Sequence, residues 1–213
     1  MTIISDDKKF IFVHIPKTGG TSISSVLKEY SEPHNIKKWY VRSSSNHLTS
    51  EKIVAQLENP STYCKFAVVR NPFDLCVSIW AYKIMSGWPQ NVGFKEFMLF
   101  AHNHQKHPQL KAIRPLFDGG QTSWTHIKGK QVVDVILKFE NLKEDFKKVT
   151  ERLGLVDVCL PKLNQTSHRH FSSYYDKETI QLVQQTFCHD WDTFGYSSNQ
   201  QHHFSLSDQP WYM

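Results

Sequence analysis

Residues 16–22 read Pro-Lys-Thr-Gly-Gly-Thr-Ser and follow directly on the apolar run FIFVHI at 10–15. Gly19 and Gly20 let the backbone approach an anion closely and take positive φ where needed. Thr18, Thr21 and Ser22 add hydroxyl donors, and Lys17 adds a full charge. A strand, a glycine turn and a helix N-terminus in that order present backbone N–H groups beside roughly half a positive charge. The chemistry indicated is the holding of a phosphate-type anion. A nucleoside-triphosphate loop, however, has the order GxxxxGK[ST], its lysine after the last glycine and its hydroxyl on magnesium. Here Lys17 precedes both glycines, on the entry side of the loop and next to the bond that would break. This is not a Walker motif.

The elements that must position this loop alternate along the chain. Residues 10–15 are short, apolar and bounded by Pro16, which predicts a buried strand. From Thr21 onward, Ile23, Val26, Leu27 and Tyr30 fall at helical spacing, with Thr21 or Ser22 as N-cap. WYVR at 39–42 is a candidate second strand. TSEKIVAQL at 49–57 predicts a helix with Thr49 as N-cap and Glu51 in its first turn. KFAVVR at 65–70 is a third strand, stopped by Asn71-Pro72, and the helix after it carries Asp74 in its first turn. A helix over 93–105 buries Phe94, Phe97, Met98 and Ala101. QVVDVILKF at 131–139 is a fourth strand, followed by a helix that Gly154 ends. A last helix over 177–191 turns Ile180, Val183, Phe187 and Trp191 inward.

Strands alternating with helices predict an α/β fold: a single domain over 1–213, its central parallel sheet flanked by helices. The motif-bearing core covers 10–196 and leaves a tail over 197–213. Sheets of this kind bind ligands beyond the carboxyl ends of their strands. Residues 16–22 and 70–78 both fall at such ends.

A chain of 213 residues is long enough for one well-buried core. Its 39% hydrophobic and 21% charged residues are ordinary for a soluble globular protein. No run approaches the ~18 to 20 apolar residues that span a bilayer, and MTIISDDKKF lacks a signal-peptide pattern, so a cytoplasmic protein is expected. Cys64, Cys76, Cys159 and Cys188 show no CxxC spacing and read as small apolar residues in a reducing compartment. The formal charge of +5 suits an anionic small molecule or glycan and is too small to argue for nucleic acid.

Two of these stretches carry a family resemblance. IPKTGGTS resembles the 5′-phosphosulfate loop of the PAPS-dependent sulfotransferases. KFAVVRNPFDLCVSIWAY resembles the 3′-phosphate motif of the same superfamily, an arginine ending a strand and a serine eight residues later on the next helix. VVDVILKFENLKEDF, LPKLNQTS and YYDKETIQLVQQTFCHDWDTFGY are similar to the carbohydrate sulfotransferase branch, near the heparan 2-O- and chondroitin-type enzymes and their small bacterial relatives. The resemblance covers most of 10–196. It implies a P-loop-like sulfotransferase that moves a sulfuryl group from PAPS to an acceptor hydroxyl, a carbohydrate being expected. PAPS is then the co-substrate and PAP the product, with no metal.

The chemistry implied is an in-line displacement in which the protein positions the reactants and stabilises moving charge. Lys17 and the loop residues Thr18, Gly19, Gly20, Thr21 and Ser22 would hold the leaving phosphate. The 3′-phosphate carries about −1.5 to −2 charge. Arg70 can fork onto its oxygens, and Ser78 adds a hydroxyl from the helix. Taken singly, Arg70 paired with a carboxylate and a solvent-facing Ser78 are the alternatives. Together with Lys17 they suit a nucleotide phosphorylated at both ends. Related glycan sulfotransferases place a histidine base after the second strand, which implies His47 as general base. His14, at the end of the first strand, is the rival and reads as a packed support.

The loop at 161–170 matches one that closes over the nucleotide, implying Asn164, Thr166 and Ser167 as ligands; a polar connection is the alternative. His104 and His107 share a helical face, but Pro108 and the lack of an acidic or cysteine ligand nearby argue against a metal. Glu140 is assigned no chemistry. Trp39, Tyr40, Trp80, Tyr82, Trp88 and Trp124 could stack on sugar faces, but a place in the core is the default reading for the tryptophans. Two other classes stand beside the sulfotransferase: a nucleotide kinase needing magnesium and ATP, and a catalytically silent binder of anionic glycans. The acceptor and the oligomeric state are not legible.

Overall fold

The computed structural model describes residues 2–30, 47–104, 107–155, 158–163 and 166–198. Its contacts group the chain into two compact units: Met1–Val69 with Ser123–Asn164 and Pro210–Met213, and Arg70–Thr122 with Gln165–Gln209. The fold is α/β with a parallel-rich sheet, as expected.

The first unit holds the strands β1 (Ile3–Ser5), β2 (Phe10–Val13), β3 (Cys64–Val69), β4 (His126–Ile127), β5 (Lys130–Gln131) and β6 (Val135–Lys138). Four of them form a sheet in the order β1-β2-β3-β6, and β4 with β5 makes a separate antiparallel pair. β2, β3 and β6 run parallel, while β1 lies antiparallel on β2. Parallel strands are covered on both faces and so read as unbroken apolar runs. All four residues of β2 are buried accordingly. Phe10, Phe12, Phe66, Val68 and Leu137 pack with Ile23 and Leu27 of the helix Gly20–Leu27, and with Leu142, Phe146 and Val149 of the helix Leu142–Arg152. Burying each such large side chain stabilises the fold by roughly 1.5–3 kcal/mol.

Two expectations are revised in this unit. The continuous strand over 131–139 is interrupted. The Val132 amide donates to the Thr125 carbonyl, and Asp134 turns to Lys65, its amide donating to that residue's carbonyl at 2.8 Å. The Asp134 carboxylate accepts the Lys65 amide at 2.7 Å and its ammonium at 2.9 Å. With Val132 turned to Thr125 and a carboxylate rather than a backbone carbonyl on the Lys65 amide, the ladder of β6 starts only at Val135. β1, three residues long, is an added strand that gave no sequence pattern. The candidate strand at 39–42 lies outside the described residues.

The second unit is helical: Pro72–Met85, Phe94–Asn103, Arg114–Gly119, Lys177–Thr186 and Cys188–Phe194. Asn71 accepts the Phe73 amide at 2.9 Å and Pro72 takes the first helical position, so the pair that stops β3 also opens the next helix. Phe94, Phe97, Met98 and Ala101 are the buried face of their helix, as their spacing predicts. The single helix expected over 177–191 is two. Asp176 and Thr179 open the first with a capping box, and fully buried Phe187, at φ −108° and ψ 28°, separates it from the second. Apolar spacing continues across that break, which hides it from periodicity. Among the described residues no helix is long and apolar enough to cross a membrane.

Candidate active site

Past the end of β2 the chain stays buried through His14, Ile15 and Pro16 and then turns at Lys17. Lys17 has φ 63° and Gly19 φ 80°, both left-handed. Backbone of that kind is a natural place for glycine and costly for lysine. The N-cap is Gly19 rather than Thr21 or Ser22, because the left-handed turn starts the helix earlier; the Gly19 carbonyl receives the amides of Ser22 and Ile23. No side chain among the described residues caps this helix, and no acidic residue occupies its first turn. The positive end of its dipole is thus left uncompensated by a carboxylate in that turn, an arrangement suited to an anion.

The loop hydroxyls divide by task. Thr18 is fully buried and donates Oγ1–H to the Ile15 carbonyl at 2.9 Å, so it braces the turn from inside. Ser22 is buried as well, and its Oγ accepts the amide of Leu163 at 3.1 Å, which ties the late loop to the start of the helix. Thr21 is exposed and Lys17 half-buried. A side chain on Gly19 would come within 2.7 Å of Leu142, and one on Gly20 within 2.0 Å of the His14 imidazole.

His14 therefore lies on the first residue of the helix, its ring stacked on Phe12 at 5.5 Å. Its carbonyl is 3.1 Å from Nδ1 of His47, and the two rings meet edge to face at 4.4 Å. A carbonyl only accepts, so Nδ1 carries the proton and Nε2 of neutral His47 keeps its lone pair. Burial pushes the His47 pKa down to about 4; the bond to His14 opposes this, and the Lys17 charge adds to it. His47 stands just before the helix Ser50–Val54, which Ser50 anchors by donating its hydroxyl to the Trp124 carbonyl.

In the second unit, Arg70 is buried and its Nε donates to Asp74 at 2.7 Å. The carboxylate pairing weighed as an alternative is thus present, made through Nε. Gln121 grips the Arg70 backbone at both ends, Oε1 accepting its amide and Nε2 donating to its carbonyl, each at 2.8 Å. Ser78, on the helix that carries Asp74, is buried, not solvent-facing. Thr166 is half-buried and Ser167 exposed; Asn164 lies outside the described residues. Gln121 and its partner Asp190 were missed by sequence reasoning, since nothing in their spacing from Arg70 marks them.

The remaining candidates resolve as packing. His104 and His107 lie against Phe100, and His107 also against Trp88. No group of His, Cys, Asp or Glu among the described residues is disposed to hold a metal ion. Trp88 and Trp124 are core, half-buried Trp80 donates its indole N–H to the Val92 carbonyl, and Tyr82 is exposed. Trp39 and Tyr40 lie outside the described residues. Glu140 belongs to the short turn Phe139–Asn141.

The sheet and the glycine turn past β2 make an α/β arrangement with a helix N-terminus suited to an anion beyond a strand end. A profile of the sulfotransferase family matches residues 1–197, and the chain belongs to that family. It is similar in fold to a mouse sulfotransferase, SULT7A1, solved in complex with PAP, with 14% identity, 89% of this chain and 86% of that chain covered, and a TM-score of 0.54. No curated protein matches the chain. Membership of the sulfotransferase family favours sulfuryl transfer over the kinase reading.

Proposed function

We propose that residues 1–213 act as one sulfotransferase domain that moves the sulfuryl group of PAPS onto a carbohydrate hydroxyl, with His47 as general base. As the acceptor oxygen bonds to sulfur, its proton passes to Nε2 of His47 and the bond from sulfur to the 5′-phosphate oxygen breaks. The charge that grows on that phosphate is met by Lys17 and the amides at the opening of the glycine turn. Arg70 and Ser78 bind the 3′-phosphate, and Asn164, Thr166 and Ser167 contribute from the late loop. The carbohydrate class is supported by the branch that residues 132–146, 160–167 and 174–196 resemble, and a cytoplasmic setting belongs to the same reading.

The observation that carries the reading is the double engagement of His14. Its carbonyl orients the proposed base, while its ring rests on Gly20 at the opening of the proposed phosphate loop. Base and loop are thereby held in register by one buried residue. Sulfuryl transfer from PAPS to a panel of sugar, alkyl and phenolic hydroxyls tests it. His47→Ala should lower turnover by about 10²- to 10⁴-fold on the preferred acceptor. Affinity for PAP should stay within about twofold, since the loss is confined to the chemical step. Wild-type turnover in a clean His47→Ala preparation would remove His47 from the mechanism, and a preference for phenols would remove the carbohydrate.

A further inference from the structure

Arg70 is the first residue past β3, where its backbone no longer has a neighbouring strand to pair with; the ladder with β6 ends at Val69 and Lys138. A buried amide and carbonyl without partners would cost about 1–3 kcal/mol each. The side chain of Gln121 supplies both partners and so extends the pairing by one residue. Gln121 is itself fully buried and is held from behind by Asp190. Its amide donates to Asp190 Oδ2 at 2.8 Å and its Nε2 to the same oxygen at 3.1 Å, while the Thr122 amide reaches Oδ1 at 3.2 Å.

These bonds fix which end of the Gln121 amide is which. Reversing it would set NH2 against the Arg70 amide, and oxygen against both the Arg70 carbonyl and the Asp190 carboxylate. Asp190 is fully buried on the helix Cys188–Phe194 and faces three N–H donors, as an ionised carboxylate requires. Burial raises its pKa to about 6 against the pull of those bonds. At its other end Arg70 is held through Nε by Asp74. The residue is therefore fixed at its backbone from one side and at its guanidinium from the other.

We propose that Gln121, oriented by Asp190, is the positioning residue that aims Arg70 at the 3′-phosphate of the donor nucleotide. The inference rests on the reading of Arg70 as the 3′-phosphate ligand. Bidentate recognition demands placement within a fraction of an ångström, and a ligand's supporting residues secure it. Asp190 acts one bond further out, by keeping the Gln121 amide from turning over.

The test is calorimetry on the full chain with adenosine 3′,5′-bisphosphate and adenosine 5′-monophosphate, which differ only at the 3′ position. Wild type should prefer the bisphosphate, and Arg70→Ala should abolish the preference. Failure of either result overturns the Arg70 reading itself. Given both, Gln121→Met, similar in length but without an amide, should weaken the bisphosphate about tenfold, the size of one hydrogen bond to a charged group, and leave the monophosphate unchanged. An unchanged preference, or equal weakening of both nucleotides, overturns the positioning role. A second measurement needs no variant to fold: hydrogen exchange of the Arg70 amide in wild type. Because coupling is reciprocal, bisphosphate should slow that exchange about tenfold more than monophosphate does; equal protection by the two contradicts the proposal.

Discussion

His47 donates its Nδ1 proton to the carbonyl of His14 at 3.1 Å, and the ring of that same His14 occupies the space a side chain on Gly20 would need. Nε2 of His47 is thereby turned into the acceptor, and the histidine that arranges this is itself wedged against Gly20 at the opening of the glycine turn. One substitution strikes both. Gly20→Ala puts a methyl 2.0 Å from the His14 imidazole, which must move. The expected cost is about 1–3 kcal/mol, as for other overpacked sites, read as a lower urea midpoint with an unchanged m-value. Turnover should fall along with it. Full stability and full activity in Gly20→Ala would contradict the close packing of His14 on the loop.

The acid limb of turnover should report His47. An isolated histidine titrates near 6.5, whereas burial holds this one near 4. Below that pH the imidazole is protonated and cannot take a proton; above it the base is ready. With PAPS and acceptor well below saturation, kcat/KM should stay level as the pH falls through 6 and decline only toward 4. A half-maximal point near 6.5 would contradict the buried neutral base. Stability is the poorer readout. Between 6.5 and 4 the unfolded histidine binds the proton more readily than the folded one, so this group lowers stability as pH falls. Asp190, raised from 3.8 to about 6, works in the opposite direction over much of that range.

Lys17→Ala should reduce kcat by about 10²- to 10³-fold, the range seen when one stabilising donor for a developing oxyanion is removed. The effect on affinity for PAP should be smaller, because the charge Lys17 meets grows in the transition state. A loss confined to KM, with kcat intact, would make Lys17 a binding residue only.

Phe146 is fully buried in the cluster that joins the helix Leu142–Arg152 to β2, β3 and β6. Phe146→Ala should cost about 3–5 kcal/mol by the cavity it leaves, measured by chemical denaturation. A change below 1 kcal/mol, in the range of surface substitutions, would show that this helix is not seated on the sheet.

The parallel core was legible because its strands are buried on both faces. β2 is a short, wholly apolar run and β3 is apolar but for Lys65, and each ends in a marked turn, at Pro16 and at Asn71-Pro72. The helix Phe94–Asn103 was legible by its period, and its buried face is the one the spacing gives. Elements set by side chain to backbone bonds were not legible. The interruption before β6 follows from Asp134 reaching Lys65, and the cap at Gly19 follows from a left-handed φ that two adjacent glycines leave undecided. In the candidate site, charge and glycine pattern pointed to Lys17 and Arg70. The pairing of Gln121 with the Arg70 backbone joins residues 51 apart and leaves no periodic trace.

Calorimetric titration of the full chain with adenosine 3′,5′-bisphosphate in EDTA, with ATP as the comparison ligand, tests the central claim most directly. A loop with its lysine before the glycines, together with a buried arginine after β3, predicts tight binding of the bisphosphate without added metal and much weaker binding of ATP. A preference for ATP that magnesium restores would contradict the assignment of Lys17 and Arg70 to the two phosphates of PAPS.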